Sequence, residues 1–373
     1  MANIILTAYA PHILESLAQL AQENNPEFKI SPVGFLAALI ENNPKLSAFE
    51  QLTLTNTGGH QKRVFIKYQP RYNENVIATE DNCNIDLVPA WKVSEIKAER
   101  FVKIGIHISD EEISKLVDDA SQTVRMGTPP TTLLREHIET IMRIAQALMR
   151  KIDAQLLSDV TWGVNVTTGN NAAVTVNINK DATKNDLNSG FTKILFDASE
   201  NEFAGNLIIV GNGLMNSYEL QKMAAVAAMN GVDVTKFTGY TFYNDTLSKV
   251  AWGVNQIGVF EKGSIGFVDV SRYLGFRAGE RPNSFFFQLP LPVQTNSGIQ
   301  PFNFDVQLKY IDCPTVLLNH YGEEEQFDRG WALYISKRYG LWQYPSNVYN
   351  AGDVLAGVNG SLRYIITNEC AEC

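Results

Sequence analysis

Cysteine is scarce in this chain: Cys83, Cys313, Cys370 and Cys373 in 373 residues. Only Cys370 and Cys373 are neighbours, as one C-x-x-C without a second pair or a nearby histidine. That excludes a recognisable zinc ligand set and a secreted-type disulfide framework, and the pair reads as free thiols. The histidines are His12, His60, His107, His137 and His320, and none forms an H-x-x-x-H or H-E-x-x-H pair. Walker and G-x-S-x-G motifs are absent. No stretch approaches ~18 uninterrupted apolar residues, so no membrane helix is expected. The opening MANIILTAYAPHILESLAQL lacks a basic start, and Pro11, His12 and Glu15 break its apolar run, so no signal peptide is expected and the cytoplasm is the expected compartment. Charge is also sparse. Charged residues make up 19 %, and the net charge of −9 suits a poor nucleic-acid binder unless its cations gather on one face.

What is present is apolar and aromatic. Hydrophobic residues make up 45 %, with 19 Phe, 14 Tyr and 5 Trp, many in β-like segments that suit packed sheets or subunit interfaces. The most marked pattern lies between Thr131 and Val160. Leu134, Ile138, Ile141, Ala145, Leu148, Ile152 and Leu156 fall three or four apart, with Met142, Met149 and Ala154 widening the face. That spacing predicts one amphipathic helix, ~45 Å long, uninterrupted by Gly or Pro. Pro129-Pro130 precede it, Thr131 or Thr132 can cap it, and Trp162-Gly163 ends it.

Around this helix the chain divides by pattern. Residues 1–48 read as an arm with short helices, the second running from Val33 to Ile40 and ending at Asn42-Asn43-Pro44. Short separated helices need something to pack on. In 49–108, Arg63–Tyr68 and Glu99–Ile108 alternate on either side of a polar middle, predicting an extended hairpin that would lie on a neighbouring surface. Ser109-Asp110-Glu111-Glu112 opens a well-capped helix. Residues 160–205 read as a polar β insertion, with Val174, Val176 and Ile178 inward. Leu207–Gly213 reads as a buried strand entering a tight turn, followed by a helix from Asn216 to about Met229. Short aromatic strands are expected through the remainder. Trp162-Gly163-Val164-Asn165 recurs as Trp252-Gly253-Val254-Asn255, but the flanks differ and the match reads as coincidence.

Candidate chemistry is thin. A glycine turn at Gly211–Gly213 before a helix has the physics of a pyrophosphate cradle, with Asp233 in place for a ribose. The third glycine is missing, since position 216 is Asn216, and an ordinary strand-to-helix turn is the favoured reading. His320, Glu323 and Asp328 read as a solvated acidic loop rather than a metal or acid–base site. Arg272, Arg277 and Arg281 could face a polyanion or form salt bridges between subunits, and the acidic net charge favours the second.

The order of parts resembles the major capsid proteins of tailed bacteriophages, the Hong Kong 97-like fold shared with encapsulins and the herpesvirus capsid floor. The resemblance is carried by the hairpin-like 49–108, the spine-like 131–160, Leu207-Ile208-Ile209-Val210-Gly211-Asn212, and Trp331–Trp342, which is similar to the late aromatic strands of such coats. It implies an α+β fold with an N-terminal arm (1–48), an extended E-loop (49–108) and a P-domain (109–205) holding the spine helix and a β segment. An A-domain (206–320) and returning C-terminal strands (321–373) complete it. It implies a structural subunit with no enzymatic role, no cofactor and no metal, assembling with itself as pentamers and hexamers of an icosahedral shell around double-stranded DNA. Portal, scaffolding and decoration proteins are the implied partners. The scaffold is expected to be a separate protein, the virion is the destination and the host bacterial cytoplasm is the place of assembly. Arg63, Phe65, Tyr68, Arg71 and Trp91 of the E-loop, with Arg272, Arg277 and Arg281, are the expected inter-subunit residues. An encapsulin-like compartment or another virion protein, and an α/β enzyme binding a nucleotide at Gly211–Gly213, are the alternatives.

Overall fold

A computed structural model of the chain describes residues 33–42, 62–68, 92–98, 100–115, 118, 132–177, 190–203, 206–212, 240–269, 277–278, 284–311, 315–318, 324–327, 330–345 and 357–367. Its helices are α1 (Gly34–Glu41), α2 (Thr132–Asp159), α3 (Gly190–Glu200) and α4 (Ser248–Ala251), and residues 110–115 are also helical. The early strands are β1 (Lys62–Tyr68), β2 (Lys92–Ala98), β3 (Arg100–Ser109), β4 (Val174–Asn177), β5 (Leu207–Gly211), β6 (Tyr240–Asn244), β7 (Gln256–Glu261) and β8 (Ile265–Asp269). The later ones are β9 (Arg277–Ala278), β10 (Ser284–Thr295), β11 (Gly298–Ile311), β12 (Thr315–Leu318), β13 (Glu324–Phe327), β14 (Gly330–Gln343) and β15 (Ser361–Thr367). The fold is α+β.

The long helix forms where its apolar stripe predicts. Ile141, Met142, Ala145, Leu148, Met149, Ile152, Leu156 and Leu157 are buried, while Thr140, Arg143, Ala147, Arg150, Lys151 and Ser158 face solvent. Most of its stability comes from that packed face rather than from intrinsic propensity. Its load is a six-stranded sheet, ordered β3-β14-β11-β10-β9, with β8 also on β14. At the centre, β14 pairs with β3 from Gly330 to Tyr339, with β11 from Gly330 to Ser336 and with β8 from Tyr339 to Gln343. Tyr339 pairs with both Arg100 and Asp269, so β8 continues the edge that β11 occupies. The Tyr339 hydroxyl donates to Gln155 Oε1, and burial raises its pKa. Arg100 closes the other side with a two-pronged ion pair to Asp159, at the helix C-terminus.

The second sheet is mixed, in the order β4-β15-β7-β5-β6. Every residue of β5 is buried, as its unbroken apolar run requires. β5, β6 and β7 lie in this sheet, whereas β8 to β11 lie in the six-stranded one.

Two local expectations change. The second arm of the hairpin is β2, not Glu99–Ile108: β1 pairs with β2 from Lys62↔Ala98 to Tyr68↔Lys92, and β3 leaves to join β14. The clean alternation of β3 reflects a body strand with Val102 and Ile108 beneath the sheet. Residues 190–200 are helical rather than part of a β insertion, because Ile194, Asp197, Ala198 and Asn201 are buried at helical spacing. The short helix of the arm is buried along nearly its whole length, in keeping with the expectation that so short a helix needs something to pack on. The capping box at Ser109 forms as its sequence predicts. Glu112 N–H donates to Ser109 Oγ at 3.2 Å, and Ser109 N–H donates to Glu112 Oε2 at 3.0 Å, which holds the Glu112 carboxyl below its usual pKa. No described helix is long and apolar enough to cross a membrane.

Candidate functional site

Two of the buried polar junctions among the described residues centre on aspartates, and a two-stranded ribbon lies outside the ladders of the large sheets. The first junction seats α1. Phe35, Leu36 and Leu39 are fully buried, each contributing about 1.5–3 kcal/mol by leaving water. The Phe35 ring lies 6.1 Å from Trp252 at 76° and 5.5 Å from Phe260. The apparent repeat meets here: Trp162 and Trp252 pack edge-to-face at 5.1 Å, although Gly253 and Asn255 take positive φ and so set their turn apart. A Cβ at Gly34 would overlap the Asn244 carbonyl, so the helix enters at a position only glycine allows. Its first amides meet two carboxylates. Phe35 N–H donates to Asp245 Oδ2 at 2.8 Å and Leu36 N–H to Asp153 Oδ1 at 2.7 Å. At the other end, Glu41 Oε2 accepts from the Tyr243 hydroxyl at 2.8 Å and from Asn296 N–H at 3.0 Å.

The second junction is centred on Asp197, fully buried on α3. Oδ1 accepts from Lys193 Nζ at 2.7 Å, and Oδ2 accepts from Asn165 Nδ2 and the Tyr364 hydroxyl, each at 3.1 Å. The Thr167 hydroxyl is 2.8 Å from both Asp197 Oδ1 and Asn165 Oδ1 and gives its one proton to either. Burial, then the charge of Asp197, raises the Tyr364 pKa. One carboxylate thus ties the turn after the spine, α3 and β15.

The third feature is the β1–β2 ribbon, which joins the ladder of neither large sheet, although β2 packs against β14. It runs into β3, which among the described residues pairs on one side only. Phe101 and Ile104 of β3 and Val93 of β2 are exposed. Of the expected inter-subunit residues, Arg63 and Phe65 lie on β1 opposite Lys97 and Glu95. Tyr68 is buried in its own chain, edge-on to Tyr344 at 5.5 Å. Arg277 lies on β9 opposite Phe286. Arg71, Trp91, Arg272 and Arg281 lie outside the described residues, as do all four cysteines, His320, Gly213 and the expected helix from Asn216. Gly211 pairs with Ile257 and Asn244, and its Cβ would come within 2.5 Å of Ile257 Cγ2, so sheet packing accounts for this glycine. Among the described residues no group of three His, Cys, Asp or Glu could hold a metal ion.

The carboxylates are the residues that sequence reasoning misses. Asp153 carries a signal: it lies four residues after Met149 and three before Leu156, inside the apolar stripe. Asp197 and Asp245 carry none, because their partners are distant in sequence.

No protein-family model matches the chain. No curated protein matches it. Among solved structures, the chain is similar to one in the cyanophage A-1(L) capsid asymmetric unit, at 12 % identity over 86 % of this chain and 93 % of that one, with a TM-score of 0.43. A chain from Mycobacterium phage Adephagia gives 13 % identity over 85 % and 87 %, with a TM-score of 0.41. The head structure of Helicobacter pylori bacteriophage KHP40 gives 7 % over 82 % and 85 %, with a TM-score of 0.38.

Proposed function

We propose that the protein is the major capsid subunit of a tailed phage, a structural rather than catalytic protein that closes with copies of itself into a shell around double-stranded DNA. The β1–β2 ribbon carries this reading. Seven cross-strand pairs lie outside the ladders of both sheets, although β2 packs against β14, and the ribbon continues into β3, the end strand of the six-stranded sheet among the described residues. A lone two-stranded ribbon is marginal in water, and a sheet edge is a template for another chain. Neighbouring copies would satisfy both. In this reading α1 belongs to the N-terminal arm and the ribbon to the E-loop. The spine with the six-stranded sheet forms the P-domain, and the five-stranded sheet forms the core of the A-domain. Arg63, Phe65, Arg71, Trp91, Arg272, Arg277 and Arg281 remain the proposed inter-subunit residues. Pentamers and hexamers, a portal, a scaffold and a decoration protein are the proposed partners. The net charge of −9 keeps the coat from gripping the genome tightly.

Replacing residues 62–98 with a short Gly-Ser linker tests the reading. The expected product is a folded subunit with native circular dichroism that forms no particles under conditions where the full chain does. Normal particles from the deleted chain would refute it.

A further inference from the structure

Asp153 and Asp245 are both fully buried, on different elements, and both reach the first turn of α1. Their surroundings differ. Asp245 accepts three amide donors: Phe35 N–H at Oδ2, and Leu247 N–H at 2.7 Å and Ser248 N–H at 3.2 Å at Oδ1. Asp153 accepts one, at Oδ1, and no donor reaches its buried Oδ2. A bare, buried carboxylate oxygen beside a second carboxylate is where a proton meets no competing N–H donor. We propose that the two carboxyls form a proton-held latch on α1: one proton on the bare Asp153 Oδ2 keeps the helix docked, and its loss releases the helix.

The balance is electrostatic. With one proton the pair carries a single negative charge, placed at the positive end of α1. Without it, two like charges share a site closed to water. Burial first, then the charge of Asp245 and a hydrogen bond with it, raise Asp153 well above the ordinary carboxylate value, against the Leu36 amide and the charge of Arg150. Other charged or titratable groups on the packed elements are few. Glu41 and Tyr243 sit together at the far end of α1, and Lys249 of α4 is exposed. Asp269 ends β8, while β5 and β10 carry none. Because the folded-state pKa is raised, the latch is fully closed below the ordinary value of 3.8 and opens as pH rises through the raised one.

Asp153→Asn and Asp245→Asn separate this arrangement from a pair of ordinary caps. The side-chain amide of Asp153→Asn copies the protonated state: its oxygen still accepts from Leu36, and its NH2 donates to Asp245. Asp245→Asn instead sets an NH2 against the amides that the carboxylate receives. The readout is hydrogen-exchange protection of the Phe35 and Leu36 amides across pH, corrected for the intrinsic exchange rate. In the wild-type protein, protection should fall about tenfold per pH unit above the titration of the pair. Asp153→Asn should keep full protection with no such fall, and Asp245→Asn should lose it at every pH. Wild-type and Asp153→Asn profiles that run parallel would overturn the latch. So would an Asp153→Asn variant as poorly protected, or as poorly folded, as Asp245→Asn.

Discussion

Replacing Phe35 by alanine is expected to lower the unfolding free energy by about 3–5 kcal/mol. The ring is fully buried and sits between Trp252 and Phe260, with Trp162 stacked on Phe260 at 5.9 Å. Truncation removes the transfer energy of the ring and leaves a void among rigid aromatics that cannot collapse to fill it. The backbone contacts of α1 with Asp153 and Asp245 survive, so the loss reports packing alone. Phe35→Leu, which keeps most of the volume, should cost far less. Urea unfolding of the three proteins, compared by midpoint and slope, measures both effects. A Phe35→Ala loss below about 1 kcal/mol would mean that α1 is not part of the cooperative core.

Asp197→Ala carries the second large effect, again about 3–5 kcal/mol. Four side chains converge on this carboxylate. Its removal leaves Lys193 without the anion that it meets at 2.7 Å, with Asn165 and Tyr364 short of an acceptor. The cost is mainly that of groups left unpaired rather than the net worth of the bonds lost. Lys193→Met added to Asp197→Ala should therefore recover part of the loss, since it takes away the stranded cation. A double-mutant cycle in urea reads that coupling directly. Strict additivity of the two changes would show that the pair does not interact.

Legibility in the sequence follows the range of the interactions. The spine is readable because its stripe repeats over 28 residues, and Thr132–Asp159 falls within the expected Thr131–Val160. The capping box at Ser109–Glu112 is local and is readable for the same reason. The hairpin is half readable. Alternation marks β1 and β3 correctly as strands, but pairing partners are set by tertiary contacts. β2, with Lys92, Glu95 and Lys97, carries too little apolar signal to announce itself as the partner of β1. Helix α3 escapes the sequence because Phe191–Phe196 reads as a strand when taken alone. Its period becomes helical only when Asp197 and Asn201 are counted as buried. The two carboxylate junctions are hidden for a related reason. Leu36 and Asp153 are 117 residues apart, and Phe35 and Asp245 are 210 apart. A buried acid looks like a surface acid until the groups that surround it are known.

Electron microscopy of the purified chain at high concentration distinguishes a shell-forming subunit from a discrete globular protein. Closed shells or polymers tens of nanometres across, built from many subunits joined by symmetric contacts, are the predicted result. A uniform monomer or dimer, unchanged as concentration rises, would contradict it.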